Sequence, residues 1–337
     1  MTAIEWAEET WNPVSGCTRV SEGCTNCYIE RTPPMRMAHR RFDGTQIGAT
    51  TGVQLHPERL AAPLRWRRPR RVFVNSMSDL FHESIPDGFI GSVFDTMALA
   101  EQHTFQILTK RPGRARSLLN RWQEAAADRS HAGASFRRYD GLWSEPPVWP
   151  LPNVWLGVSV ESQKWADIRI PQLLDTPAAV RWISAEPLLG PVDLAAWLPG
   201  ACTCTTIPLP QPMHYDGCPA LKWRGLDWVV AGGETGPGAR PMHPDWARSL
   251  RDQCTAAGAS FFFKQWGDWT GEHREGDQWA WTPPDTWVSY ETGTTTTEAD
   301  ATAAGGSWQA VWRVGKKRAG RELDGRTWDE YPVITCR

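Results

Sequence analysis

The strongest constraint on the fold is a rhythm along the chain. Short apolar runs rich in β-branched and aromatic residues recur at 72–75, 105–109, 154–160, 180–184, 228–231 and 260–264. Each ends in a polar or Gly-containing turn, and most lead into a helical pattern, at 86–101, 113–120, 161–174 and 244–258. Gly258 sits where a helix C-cap is wanted. Apolar runs without alternation are strands buried on both faces, and such strands alternating with helices build parallel βαβ units. With a poorly marked first strand at 4–6 the count reaches about six or seven βα units. That favours an α/β, TIM-barrel-like fold, a full or partial parallel β/α barrel, over a doubly wound sheet.

Three segments break the rhythm. Residues 121–152 are polar, end in a Pro-rich stretch, and read as a long loop or an inserted helix. Residues 199–225 carry three cysteines, and 292–307 (TGTTTTEADATAAGGS) is low-complexity and expected to be mobile. The expected organisation is a barrel over 1–270, with insertions at about 121–152 and 199–225, then a C-terminal extension over 271–337.

Composition narrows the function classes. With 41% hydrophobic and 22% charged residues in 337, the chain has material for a core and is not disordered. A formal net charge of -2 leaves no global field for nucleic acid, so any such contact must use a local basic patch. No run approaches the length of a membrane span; the best, 90–100, is broken by Ser92 and Asp95. Glu5, Glu8 and Glu9 stand where a signal peptide needs positive charge, so a cytoplasmic location and no membrane are expected. In that compartment clustered cysteines point to metal or redox chemistry. The 21 tryptophans are read mainly as core packing, with base stacking as the alternative.

The sharpest motif is Gly16-Cys17-x6-Cys24-x2-Cys27-Tyr28, with Gly23 before the second cysteine. Three thiolates on one loop can hold three irons of a cubane cluster and leave the fourth open to a substrate or cofactor. Glycines let the backbone wrap closely around such a group. Structural zinc, with His39 as a fourth ligand, and plain buried thiols are the alternatives.

Polar residues also gather at the ends of the runs, which in a parallel barrel face the active site. They are Asn75, Ser76, Ser78 and Asp79; Thr109, Lys110 and Arg111; Ser159 and Glu161; Ser184 and Glu186; Gly232, Gly233 and Glu234; and Lys264 and Gln265. Helix caps and turn formers are the bland alternative for each. The Gly-rich turn at 232–238 is not a dinucleotide fingerprint, but it can bring backbone N–H groups against a carboxylate.

Several blocks now carry a resemblance: TWNPVSGCTRVSEGCTNCY, VFVNSMSDLFH, LTKRP, WLGVSVE, ISAEPLLGPVDL, DWVVAGGETGPGARPM and FFFKQWG, then VGKKRAGRELDGRTWDEYP. They resemble a phage-type, radical-SAM-like family of unknown function with a three-cysteine motif, found in phages and their bacterial hosts. The likeness covers most of 5–269 and resumes at 314–332. It implies a radical-SAM-type barrel, a [4Fe–4S] cluster on Cys17, Cys24 and Cys27, S-adenosyl-L-methionine at the open iron, and an electron donor. Reductive cleavage of that cofactor would then abstract hydrogen from a substrate. A three-Cys-motif partner protein is also implied. The commonest radical SAM spacing is C-x3-C-x2-C with an aromatic before the third cysteine; here the first gap is six, Asn26 precedes Cys27 and Tyr28 follows it.

Under that resemblance, Asn75, Ser76 and Ser78 are candidates for the methionyl amino group, and Ser159 and Glu161 for the ribose hydroxyls. Gly232, Gly233 and Glu234 are candidates for the methionyl carboxylate or the adenine, and Tyr28 for packing on the adenine. Lys110, Arg111 and Lys264 suit an anionic substrate, with Glu186 as a further catalytic candidate.

Two features stand apart. Cys202, Cys204, His214 and Cys218 can form a tetrahedral zinc site, an auxiliary iron–sulfur site, or no site at all. The tract 59–71 holds Arg59, Arg65, Arg67, Arg68, Arg70 and Arg71 around Trp66, and Lys316, Lys317, Arg318 and Arg321 form a second patch. Either a nucleic-acid backbone or a solvated basic loop accounts for the tract. The expected function is a radical SAM enzyme acting on a nucleic acid or nucleobase derivative, in DNA modification or repair. The rivals are a radical SAM enzyme for a peptide or small metabolite, and a non-catalytic, metal-stabilised nucleic-acid-binding protein.

Overall fold

The computed structural model describes residues 4–127, 136–137, 143–144, 149–199, 225–271, 274–275, 278–279 and 282–332. Its main sheet has seven strands: β1 (Glu9–Trp11), β2 (Arg71–Val74), β3 (Thr104–Thr109), β4 (Val154–Ser159), β5 (Val180–Ala185), β6 (Trp228–Gly232) and β7 (Ser260–Gln265). They lie side by side in chain order, and the pairs β1/β2, β2/β3, β3/β4 and β6/β7 run parallel. A doubly wound sheet reverses its order at a switch point; this one does not. The chain is therefore a parallel α/β protein, with a strand order compatible with a partial barrel. Every residue of β4 and β6 is buried, which is why both read as unbroken apolar runs.

Between the strands run α1 (Asp87–Leu99), α2 (Pro112–Ala127), α3 (Gln163–Leu174) and α4 (Pro244–Ala257). α1 buries Ile90, Val93, Phe94 and Met97, one helical face. α4 starts with Pro244, is capped by His243 Nδ1 accepting from Asp245 N at 3.2 Å, and ends at Gly258 in the left-handed region.

Three expectations shift. The first strand is Glu9–Trp11, not 4–6: Trp6 instead lies in a turn and buries its ring against Phe73, centroids 4.6 Å apart. α2 continues to Ala127 because the residues after Asn120, RWQEAAA, are good helix formers. Within 292–307 lie a short strand, Thr295–Thr296, and a short helix, α5 (Glu298–Ala304). Thr297 Oγ1 caps that helix by accepting from Asp300 N at 3.3 Å, a local signal that low-complexity composition conceals.

The chain divides into two compact units, one of 1–159 with 169–182, the other of 160–168 with 183–337. In the first, Trp6, Phe73 and Trp182 pack edge to face, and a Cβ on Gly157 would overlap the Trp182 indole. The second contains an antiparallel sheet of β8 (Trp269–Thr270), β9 (Thr286–Ser289), β10 (Thr295–Thr296) and β11 (Trp308–Arg313), ordered β8-β11-β9-β10. The chain then returns to β7, where Phe263 N donates to Trp328 O at 2.9 Å. No helix among the described residues is long and apolar enough to cross a membrane.

Gly157→Ala should lower stability by about 1–3 kcal/mol through overpacking. Gly91→Ala, in open space on α1, should raise it by about 0.5–1 kcal/mol. Urea midpoints of the two variants check both signs.

Candidate functional site

The cysteine loop is seated on the C-terminal ends of β2 and β3, within the first unit. Gly16 makes the approach possible: its φ is +89°, its N–H donates to Met77 O at 2.8 Å, and a Cβ there would overlap Gly52 O. Cys17 is then held from both sides, its N donating to Thr51 Oγ1 and its O accepting from Thr51 N, both at 3.0 Å. Asn12 closes the back of the loop, bonding Ser76 Oγ and accepting from Met77 N at 3.0 Å.

The electrostatic centre is Asp79. It is buried, and its carboxylate accepts from Phe81 N (3.0 Å), Thr109 Oγ1 (2.7 Å), Lys110 N (2.9 Å) and Arg111 Nη1 (3.1 Å). Arg111 also donates to Glu83 Oε2 at 3.1 Å, to Thr18 O at 3.2 Å and to Cys17 Sγ at 3.8 Å. Burial works against its charge, but Asp79, the Cys17 sulfur and Glu83 more than offset this and raise its pKa. Beside it, burial and then Arg111 hold His82 neutral, with its pKa lowered. His82 Nδ1 accepts from Ser84 N, so Nε2 carries the proton and donates to Thr18 Oγ1 at 2.8 Å.

The three thiols sense one another. Burial, then Asp79, pushes Cys17 up to about 12 against a partial lowering by Arg111, and Cys27 and Cys24 add to the rise. Burial pushes Cys27 up to about 11, with Cys24 adding and the Ile29 N–H, Lys110 and Arg19 opposing. Among the described residues no group of three or more His, Cys, Asp or Glu side chains converges as a metal site. Three cysteines on one loop are nonetheless a soft donor set of the kind that metal clusters use.

The other expected residues divide between the units. In the first, Asn75 is buried with φ +60°, and its Oδ1 accepts from Val14 N at 3.3 Å. Its Nδ2 is buried without a partner, so the unused end is a donor, suited to a carboxylate rather than to the amino group expected. Ser78 Oγ donates to Val14 O at 3.2 Å, and Tyr28 OH donates to Ser76 O. Ser159 is buried, its carbonyl accepting from Arg169 Nη1 at 2.8 Å.

In the second unit, Lys264 Nζ donates to both oxygens of Glu186, at 2.7 and 2.9 Å, and Gln265 Nε2 adds a third bond at 3.2 Å. Lys264 is thus already neutralised by a carboxylate. Gly232 lies against Glu186, and a Cβ on Gly233 would overlap Trp266 O. Glu234 binds Arg240 through N, Nε and Nη2 at 2.7–2.9 Å, and Glu161 is fully buried. Cys202, Cys204, His214 and Cys218 lie outside the described residues. Cys254 is buried in α4.

Half of the arginine tract is spent. Arg70 pairs with Glu9 at 2.7 Å, Arg71 with Glu8 at 3.9 Å and Arg59 with Glu58 at 3.5 Å. Arg65, Arg67 and Arg68 are exposed, with no side-chain partner among the described residues.

Fold and site together define a parallel α/β protein that presents a three-cysteine loop on the ends of its strands. No curated protein and no solved structure matches the chain. Its family is nevertheless clear: the chain belongs to DUF5131, described as proteins of unknown function, whose model matches residues 1–332.

Asp79→Asn leaves Arg111 without its buried counter-charge and should destabilise the metal-free protein by about 3 kcal/mol, read from urea denaturation. The thiols give a pH signature. Their folded pKa values of about 12 and 11 exceed the ordinary 9.0, so the folded state keeps protons that the unfolded chain releases. Their contribution to stability is full below pH 9.0 and is lost as pH rises through 11 to 12. In metal-free protein, alkylation of Cys17 and Cys27 should be slow at neutral pH and accelerate only in strong alkali, measured by mass spectrometry.

Proposed function

We propose that the protein is a radical-SAM-type enzyme built on a partial β/α barrel. Cys17, Cys24 and Cys27 hold a [4Fe–4S] cluster, S-adenosylmethionine occupies its open iron, and the substrate is a nucleic acid or nucleobase derivative. One observation carries this reading: three cysteines on a single loop at the strand ends, with the Cys17 sulfur bonded by Arg111 and Arg111 held by Asp79. Such a cluster, when bound, supplies the electron that cleaves the sulfonium cofactor.

The chain's own residues prepare the place. Arg111 offers positive charge and an N–H to the Cys17 sulfur, and hydrogen bonds to ligating sulfurs tune a cluster's potential. Thr51 and Gly16 fix the loop path, so the thiols keep their spacing. Asn75 Nδ2 is an unused donor for the cofactor's carboxylate. The Tyr28 ring is 47% exposed with its hydroxyl tied down, a plane on which an adenine can stack. The exposed Arg65, Arg67 and Arg68 supply cations for a phosphate backbone.

Anaerobic reconstitution should yield about four irons per chain and, after reduction, a cubane EPR signal that S-adenosylmethionine perturbs. Cys24→Ala should abolish it. Zinc without iron in protein purified free of oxygen would overturn the enzymatic reading. DNA binding should fall steeply with salt and weaken in Arg67→Ala/Arg68→Ala; no binding at low salt would remove the nucleic-acid substrate.

A further inference from the structure

The second unit contains a cavity of about 790 Å³ that none of the preceding chemistry uses. It lies within the range of small-molecule sites, roughly 300–1,000 Å³. Its walls include Trp266 and Trp312. The indole N–H of Trp266 donates to Glu322 O at 2.7 Å and that of Trp312 to Thr282 O at 3.0 Å. With those donors spent, the rings are held in place and offer π-faces rather than hydrogen bonds.

The charges of the lining separate into spent and available. Arg248 is held by Asp245 and Asp324, each at 2.9 Å, and Asp324 is bonded by Arg251 as well. Arg318 lines the same cavity, and it and the adjacent Lys317 are exposed, with no side-chain partner among the described residues. Gln309 donates its amide protons to Gly271 O at 3.4 Å and Ala310 O at 3.1 Å, which leaves its Oε1 as an acceptor. Glu322, the remaining acid of the lining, is a second acceptor.

We infer that this cavity binds a nucleotide, its base against Trp266 and Trp312 and its phosphate on Arg318. Rigid aromatic planes beside cations are the combination that nucleic-acid grooves use, stacking on the base while neutralising the backbone. Gln309 Oε1 and Glu322 suit the exocyclic amine of the base. Neither metal nor cysteine takes part, so the site stands apart from the iron–sulfur reading. A phosphate-bearing base comes either as a free nucleotide or as a unit of a single strand.

The test uses the full chain in the presence of a chelator, with AMP and a fluorescent oligo(dA) as probes. Both should quench tryptophan fluorescence at low salt. Trp312→Ala should weaken binding about tenfold, the scale of one lost stacking partner. Arg318→Glu, at an exposed position, should weaken it several-fold and flatten the salt dependence by about one phosphate contact. Oligo(dA) binding far tighter than AMP identifies a strand as the ligand, and equal affinities identify the free nucleotide. No quenching by either probe, or wild-type affinity in both Trp312→Ala and Arg318→Glu, would overturn the inference.

Discussion

A carboxylate taken out of water is costly unless every lone pair finds a donor, and Asp79 meets that condition with four. The donors come from two places in the chain, the turn after β2 and the end of β3 with the residues that follow it. One buried charge therefore ties two crossovers together. Hydrogen bonds to a charged group are worth about 1.5–3 kcal/mol each, so this link outweighs any surface ion pair in the molecule. Arg111 extends the tie outward, carrying it through its remaining N–H groups to Thr18 O and Cys17 Sγ. The position of the cysteine loop is thus a consequence of how Asp79 is neutralised.

Glycine completes what charge begins. The loop can lie this close to residues 49–52 only because Gly16 lacks a Cβ, and the contact is then closed by backbone pairing of Cys17 with Thr51 and of Arg19 with Ala49. Arg40 braces the far side, donating to Ser15 O and to Gly52 O. The site rests on backbone bonds and buried charge more than on apolar packing.

The strands were legible because burial on both faces leaves a plain mark, an unbroken apolar run, and six of them fall within a residue or two of their expected places. β1 was not, because Glu9 and the preceding Glu8 put charge where the pattern wants apolar residues; their carboxylates bond Arg70 and the Arg71 N–H across the pair with β2. Composition also misled at 298–304, where capping chemistry decides the local structure. At the site, the cysteine triad could be read from spacing alone, and Asp79 and Arg111 each stood out as strand-end residues. Their partnership could not be read, since 32 positions separate them and only the parallel register of β2 and β3 brings them together.

The charge balance of the loop bears on what it was built to receive. Cys17 has Arg111 beside it, yet burial and Asp79 still hold its thiol at about 12. Cys27 feels Lys110 and Arg19, and burial still leaves it at about 11. The resident cations are therefore too few to offset burial at Cys17 and Cys27. A loop meant only for packing would have no use for an arginine aimed at a sulfur, and a loop meant for a free nucleophile would need a lowered thiol pKa, which is the opposite of what burial produces here. Deprotonating Cys17 and Cys27 at neutral pH would require positive charge brought from outside, the part a metal centre would play under the proposed function.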